Sequence, residues 1–190
     1  VLSEEAADDR SRLAADRVWI VDPLDGTREY GEPGRTDWAV HVALWERGEL
    51  TAGAVALPAQ GQVLSTAEVP AVPAADAGRM RIAVSRSRAP LLVTKLAELV
   101  DGELMQLGSA GAKAAAVMLG QVDAYVHAGG QYEWDSAAPV VVARAAGLHT
   151  SRIDGARLRY NQPDPLLPDL VVCRPELAET LLDGLARVDR

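Results

Sequence analysis

Phenylalanine is absent from the 190 residues, and all aromatic residues together reach only 4%. Ala, Val and Leu must then fill the core, and the four Trp become positions worth locating. Cysteine occurs once, at Cys173, so no intrachain disulfide can form. That suits a reducing compartment, and the expectation is a cytoplasmic protein. No apolar run reaches the roughly 18 residues of a membrane span. Bases are outnumbered too: Lys plus Arg total 19 against 27 Asp plus Glu, a formal charge of −8. Nucleic-acid grooves and anionic membrane surfaces both need clustered cations, so neither is an expected partner. The start, Val1-Leu2-Ser3-Glu4-Glu5, lacks an initiator Met and the basic and apolar regions of a targeting peptide, and reads as processed or as internal to a longer protein. What remains is a globular composition, 48% hydrophobic and 24% charged, whose length fits one large domain or two small ones.

Residues 3–17 read as an exposed loop with at most a short helix. Val18-Trp19-Ile20-Val21 reads as a buried strand that Asp22-Pro23 stops, followed by a turn at Asp25-Gly26. Asp37 to Leu64 alternates as a three-stranded antiparallel meander. The Pro- and Ala-rich residues 67–79 read as a connection, which divides the chain into parts 1–78 and 79–190. Beyond it the pattern predicts strands at 81–84, 104–107, 122–127 and 170–173. Helices are predicted at 90–100, 112–119, 136–146 and 175–188, with a turn at Gly129-Gly130 and Asp135 as an N-cap. This is an α/β chain with an antiparallel first sheet and a mixed second half.

The sharpest feature is Trp19-Ile20-Val21-Asp22-Pro23-Leu24-Asp25-Gly26-Thr27. Asp22 and Asp25 can converge on one side of a turn with the Leu24 carbonyl between them, an oxygen-only set that suits a hard cation such as Mg²⁺. Gly26 and Thr27 can face a phosphate if a helix starts there. Asp-Pro and Asp-Gly are also ordinary turn dipeptides, and spacing alone leaves both readings open. Glu4-Glu5 and Glu133-Trp134-Asp135-Ser136 supply distant acids, whose common roles are solvation and capping.

Ser3-Glu4-Glu5, the Trp19–Thr27 motif and Trp134-Asp135-Ser136-Ala137-Ala138-Pro139 resemble, in order and spacing, the three signatures of the inositol monophosphatase superfamily of metal-dependent, lithium-sensitive phosphatases. Glu133-Trp134-Asp135, Ser85-Arg86-Ser87 and Gly108-Ser109-Ala110-Gly111-Ala112-Lys113 are similar to its 3'(2'),5'-bisphosphate nucleotidase branch, the CysQ type. The resemblance implies a layered αβαβα sandwich, here without the two N-terminal helices that the family carries before the Glu4 motif. It implies two or three Mg²⁺ held by Glu4, Asp22, the Leu24 carbonyl, Asp25 and Asp135, with Glu4 and Thr27 orienting the attacking water. Substrate would be held by Asp25, Gly26, Thr27, Ser85, Ser109, Lys113 and Asp135.

The implied reaction is Mg²⁺-dependent hydrolysis of adenosine 3',5'-bisphosphate to AMP and phosphate, or of its sulfated form to adenosine 5'-phosphosulfate and phosphate. Two cations can activate water and stabilise the leaving oxygen, which phosphate monoesters need. The expected partner is a small phosphorylated nucleotide, and a homodimer is compatible with the sequence. Inositol or fructose bisphosphate phosphatase activity is the alternative within the enzyme class. From another class, the alternative is a non-catalytic metal- or nucleotide-sensing domain. His41 reads as a strand packing residue, His127 stands near a pocket, and Cys173 reads as core. Arg86 and Arg88 could hold a second phosphate, and Tyr160-Asn161 could pack beside a base or close a turn.

Overall fold

A computed structural model describes residues 1–76, 78–87 and 89–188. The first half supplies β1 (Leu2–Ser3), β2 (Arg17–Asp25), the short α1 (Thr27–Gly31), β3 (Ala39–Glu46), β4 (Glu49–Leu57) and β5 (Gln62–Ser65). They form one sheet in the order β1-β2-β3-β4-β5, antiparallel except that β1 runs parallel to β2. The second half supplies β6 (Arg81–Ser85), α2 (Leu91–Leu99), β7 (Glu103–Leu107), α3 (Ala110–Met118) and β8 (Ala124–Tyr132). It continues with α4 (Glu133–Ala145), β9 (His149–Ser151), β10 (Leu166–Cys173) and α5 (Ala178–Val188). Their strands make a mixed sheet, β7-β6-β8-β10-β9.

Alternation along the first sheet buries Val18, Ile20, Ala39, Ala43, Val55 and Leu57 on one face, against α4. The opposite face carries exposed Trp19, Val42 and Val63, with no helix against it among the described residues. Helices α3 and α4 also pack on the second sheet, whose far face is covered by α2 and α5 through Val93, Leu96, Leu181 and Leu185. The layers therefore run sheet, helices, sheet, helices. In α3 every residue from Gly111 to Met118 is buried, because the helix is enclosed between the two sheets. Burying each of the larger aliphatic side chains contributes about 1.5–3 kcal/mol. Cys173 is fully buried, in accord with its reading as core.

Several local expectations are corrected. The strand does not stop at Pro23: β2 continues to Asp25, and the register slips so that Asp22 pairs with His41 and Asp25 with Ala39. Three steps on β2 thus face two on β3, a bulge, which is where a sheet tolerates a residue without an N–H. Nor do Gly129 and Gly130 end a strand. Their φ angles of +121° and +83° form a second bulge, between Ala128 and Gln131 of β8 against β10. Residues 3–17 are not all exposed. Ser3 is in β1, and Arg12 is 3% exposed, with its Nε 2.6 Å from Asp8 and its Nη1 donating to Asn161 Oδ1 at 2.6 Å. Helix α4 starts three residues earlier than the Asp135 cap implied, and β9 is an additional strand. Pro175 opens a single 3-10 turn ahead of α5.

Candidate active site

The β2 bulge has a direct chemical result. In a regular strand residues three apart point to opposite faces, but the extra residue brings Asp22 and Asp25 to the same buried face, at 1% and 8% exposure. The bulge also turns the Leu24 N–H out of the ladder, and it donates to Asp22 Oδ1 at 2.9 Å. Asp22 Oδ2 is buried and has no hydrogen-bond partner. Burial foremost, then the charges of Asp25, Glu4 and Asp135, push the Asp22 carboxyl up to about 8.

Asp25 is held by the start of α3. Ser109 Oγ donates to its Oδ2 at 2.5 Å, the Gly111 N–H donates to the same oxygen at 2.6 Å, and the Ala110 N–H donates to Oδ1 at 3.2 Å. Ser109 also caps α3 by accepting the Ala112 N–H at 3.0 Å. The corner before it is fixed from several sides. Asp37 accepts the Gly108 N–H at 2.5 Å, and the buried Lys113 Nζ donates to the Gly108 and Ser109 carbonyls at 3.2 and 2.6 Å. Lys113 lies 5.3 Å from the Tyr125 ring centre, and burial lowers its pKa. Its amine is thus committed to backbone, and the Ser109 hydroxyl is turned to Asp25.

His41, which sequence reasoning treated as packing, lies directly opposite Asp22 across β2 and β3. Its Nδ1 is 3.1 Å from the Trp134 carbonyl, which can only accept, so Nδ1 donates there. Nε2 sits 3.3 Å from Asp25 Oδ2 without the alignment of a hydrogen bond. Asp22, Asp25 and His41 bring three ligand atoms within 4.8 Å of one another. No local pattern marks His41 for this place, which comes from the register of β3 against β2.

Glu4 and Asp135 stand outside that tight group. Glu4 is exposed in the turn that follows β1, whose Ser3 pairs with Val21, and it is near enough for its charge to act on Asp22. Asp135 is the third residue of α4 rather than its cap, and its Oδ2 accepts the Tyr132 N–H at 2.6 Å. Burial, followed by the charges of Asp25 and Glu4, raises it to about 7 against the Tyr132 bond. Thr27 is exposed at the start of α1, and its hydroxyl donates to the Leu24 carbonyl at 3.3 Å. Gly26 immediately precedes α1.

A cleft of about 690 Å³ lies between the end of β6, the first part of β8 and the start of α2. Its walls include Ser85, Leu91, Leu92, Tyr125, Val126 and His127. Ser85 Oγ is 3.2 Å from Ser87 Oγ. His127 Nε2 donates to the Gly130 carbonyl at 3.0 Å, and its Nδ1 faces the Tyr125 hydroxyl at 3.3 Å. Burial foremost lowers its pKa. Arg86 is tied to two carboxylates, Glu29 at 2.8 Å and Glu32, and Arg88 lies outside the described residues. Tyr160 is buried with its hydroxyl 3.1 Å from Ser136 Oγ, and Asn161 bonds Arg12 and Glu133, so neither opens to the cleft.

Several known proteins are similar to this chain. A Mycobacterium bovis protein named 3'-phosphoadenosine 5'-phosphate phosphatase is 57% identical over 194 residues, covering 98% of this chain and 73% of the relative. The Escherichia coli 3'(2'),5'-bisphosphate nucleotidase CysQ is 33% identical over 162 residues, covering 80% of this chain and 65% of that protein. The crystal structure of CysQ from Bacteroides thetaiotaomicron superimposes with a TM-score of 0.80 at 28% identity, covering 91% of this chain and 76% of that one. The model of the inositol monophosphatase family matches residues 1–188. With its bulged acidic strand clasped by α3 and its two sheets enclosing α3 and α4, the chain belongs to the inositol monophosphatase family.

Proposed function

We propose that this protein is a metal-dependent phosphomonoesterase acting on a phosphorylated nucleotide of the 3'-phosphoadenosine 5'-phosphate class. The carrying observation is the buried, unpartnered Oδ2 of Asp22 among further acids. A carboxylate oxygen kept from water and from every donor is costly unless a cation meets it. Oxygen donors of this kind fit a hard cation. Asp22, Asp25, the Leu24 carbonyl, Asp135 and Glu4 would hold Mg²⁺, two or three ions in all, with His41 behind Asp25. Bound there, Mg²⁺ supplies charge neutralisation of the phosphate and a lowered pKa for water.

The chain's own residues do the positioning. Ser109, Ala110 and Gly111 fix the rotamer of Asp25, and Leu24 fixes that of Asp22. The Thr27 hydroxyl can donate to only one acceptor at a time, so on releasing the Leu24 carbonyl it can turn to a water or a phosphate oxygen. Glu4, an exposed acid near Asp22, would orient that water together with Thr27. Gly26 and the Thr27 N–H would meet the scissile phosphate at the start of α1. The apolar walls of the cleft favour a ligand with a flat base over a small polyol, and Ser85 at its mouth would meet the ribose or a second phosphate. The names of the 57% and 33% identical relatives support the same substrate class.

The test is phosphate release from adenosine 3',5'-bisphosphate, inositol 1-phosphate and fructose 1,6-bisphosphate with Mg²⁺. The nucleotide should have the highest kcat/KM. Equal or faster turnover of the inositol ester would overturn the substrate assignment, and no release from any of the three would overturn the activity.

A further inference from the structure

A second groove, of about 620 Å³, opens where the last turn of α4 meets the β3–β4 hairpin and β9. Its character is opposite in sign to that of a chain with a formal charge of −8. Arg144 enters it from α4, half-buried, with Nε donating to Thr150 Oγ1 at 2.8 Å. Among the described residues Arg144 has no ion pair, and its two Nη nitrogens have no hydrogen-bond partner. Arg157 reaches the same groove from the turn after β9, and its one carboxylate partner, Glu49, is on the rim. Two guanidiniums thus face one acid. Burial lowers the Arg144 pKa foremost, with Arg157 adding to it and Tyr160 and Glu49 acting against it, yet an arginine stays charged in proteins.

The other polar side chains lining the groove do not consume these donors. Thr51 donates to Glu46 Oε2 at 2.7 Å, and Thr66 accepts the Gly53 N–H at 3.2 Å. A planar fork of free N–H groups, partly shielded from water, matches two oxygens of a tetrahedral dianion in a way that a lysine or a lone hydroxyl does not. The groove is set apart from the acids: Arg144 lies nine positions beyond Asp135 on α4, a rise of about 13 Å along the helix.

We propose that this groove is a binding site for the phosphate group of a small molecule, with Arg144 as its anchor and Arg157 exchanging Glu49 for the ligand. Recognition rests on the two guanidiniums and is independent of the metal-binding acids. The test is calorimetric titration of the full chain with inorganic phosphate in the presence of a chelator, where the acidic cluster repels anions. Wild type and Asp22→Asn should bind one equivalent with the same affinity. Arg144→Gln should weaken binding at least tenfold and Arg157→Gln several-fold, and added chloride should compete. Because Arg157 is exposed, its variant keeps the test decisive even if Arg144→Gln does not fold. No binding by wild type, binding unchanged in Arg157→Gln, or binding lost in Asp22→Asn instead would overturn the proposal.

Discussion

Ser109 Oγ donates to Asp25 Oδ2 at 2.5 Å while accepting the Ala112 N–H at 3.0 Å, so one hydroxyl both caps α3 and orients a carboxylate of the acidic cluster. Ser109→Ala should therefore lose stability and activity together. Loss of a cap and of a charged hydrogen bond costs about 1–3 kcal/mol. Thermal melts should show the destabilisation, and kcat should fall at least tenfold with little change in KM. A variant that melts like wild type and turns over normally would remove Ser109 from this role.

Asp22→Asn should separate stability from activity in the opposite sense. The wild-type carboxylate is buried beside other acids, and ionising it in the absence of a cation is unfavourable. The amide keeps the shape without the charge. In chelator the variant should be more stable than wild type by on the order of 1–3 kcal/mol at neutral pH. Phosphate release should drop by roughly a thousandfold or more. A variant less stable than wild type in chelator would show that the carboxylate is not under electrostatic stress.

The same acids set a pH dependence. Asp22 at about 8 and Asp135 at about 7 hold protons in the folded chain that the unfolded chain, with ordinary carboxylates, releases near pH 4. Between those limits the folded state binds more protons, so stability without divalent cation declines as pH rises. Mg²⁺ needs the ionised carboxylates and relieves their repulsion. The Mg²⁺-induced rise in Tm should thus be larger at about pH 8 than at about pH 5.5. A rise that is equal at both, or larger at the acidic pH, would contradict the assignment.

Gly111→Ala is diagnostic by its sign. On helix propensity alone the change would stabilise α3 by about 1 kcal/mol. A Cβ at this position would lie 1.9 Å from His41 Nε2, a contact that neither the helix nor a fully buried ring can yield cheaply. The expected result is a lower Tm and loss of metal-dependent stabilisation. An unchanged or raised Tm would show that His41 is free to move.

How far the sequence is legible follows the same physics. The apolar run Val18–Val21, the alternating meander from Asp37 and the Ala-rich helix before Gly120 are local patterns, and a local pattern can be read from one chain. Bulges have no such pattern. Nothing in Asp22-Pro23-Leu24-Asp25 or in Gly129-Gly130 says that a partner strand continues past them, so in sequence both look like ends. The two residues of β1 are too few for any pattern, yet they bring Glu4 near Asp22. The acids themselves were legible because their types and order resemble a family. The grip of α3 on Asp25 and the place of His41 were not, since both depend on contacts between distant segments. Lys113 and Arg86 show the converse. Each looked available for phosphate, and each is occupied by protein acceptors that only the fold brings near.

The enclosed helix α3 adds a matter of dimension. Apart from Lys113, its buried stretch is Gly and Ala up to Val117 and Met118, so the separation of the two sheets there is gauged by methyl groups. Asp25 hangs from one side of that gap and is caught by the end of the helix inside it. The reach of the clasp is therefore inherited from the thickness of the molecule. A single larger side chain well down the helix would act as a shim, and would alter the site without touching any residue in it.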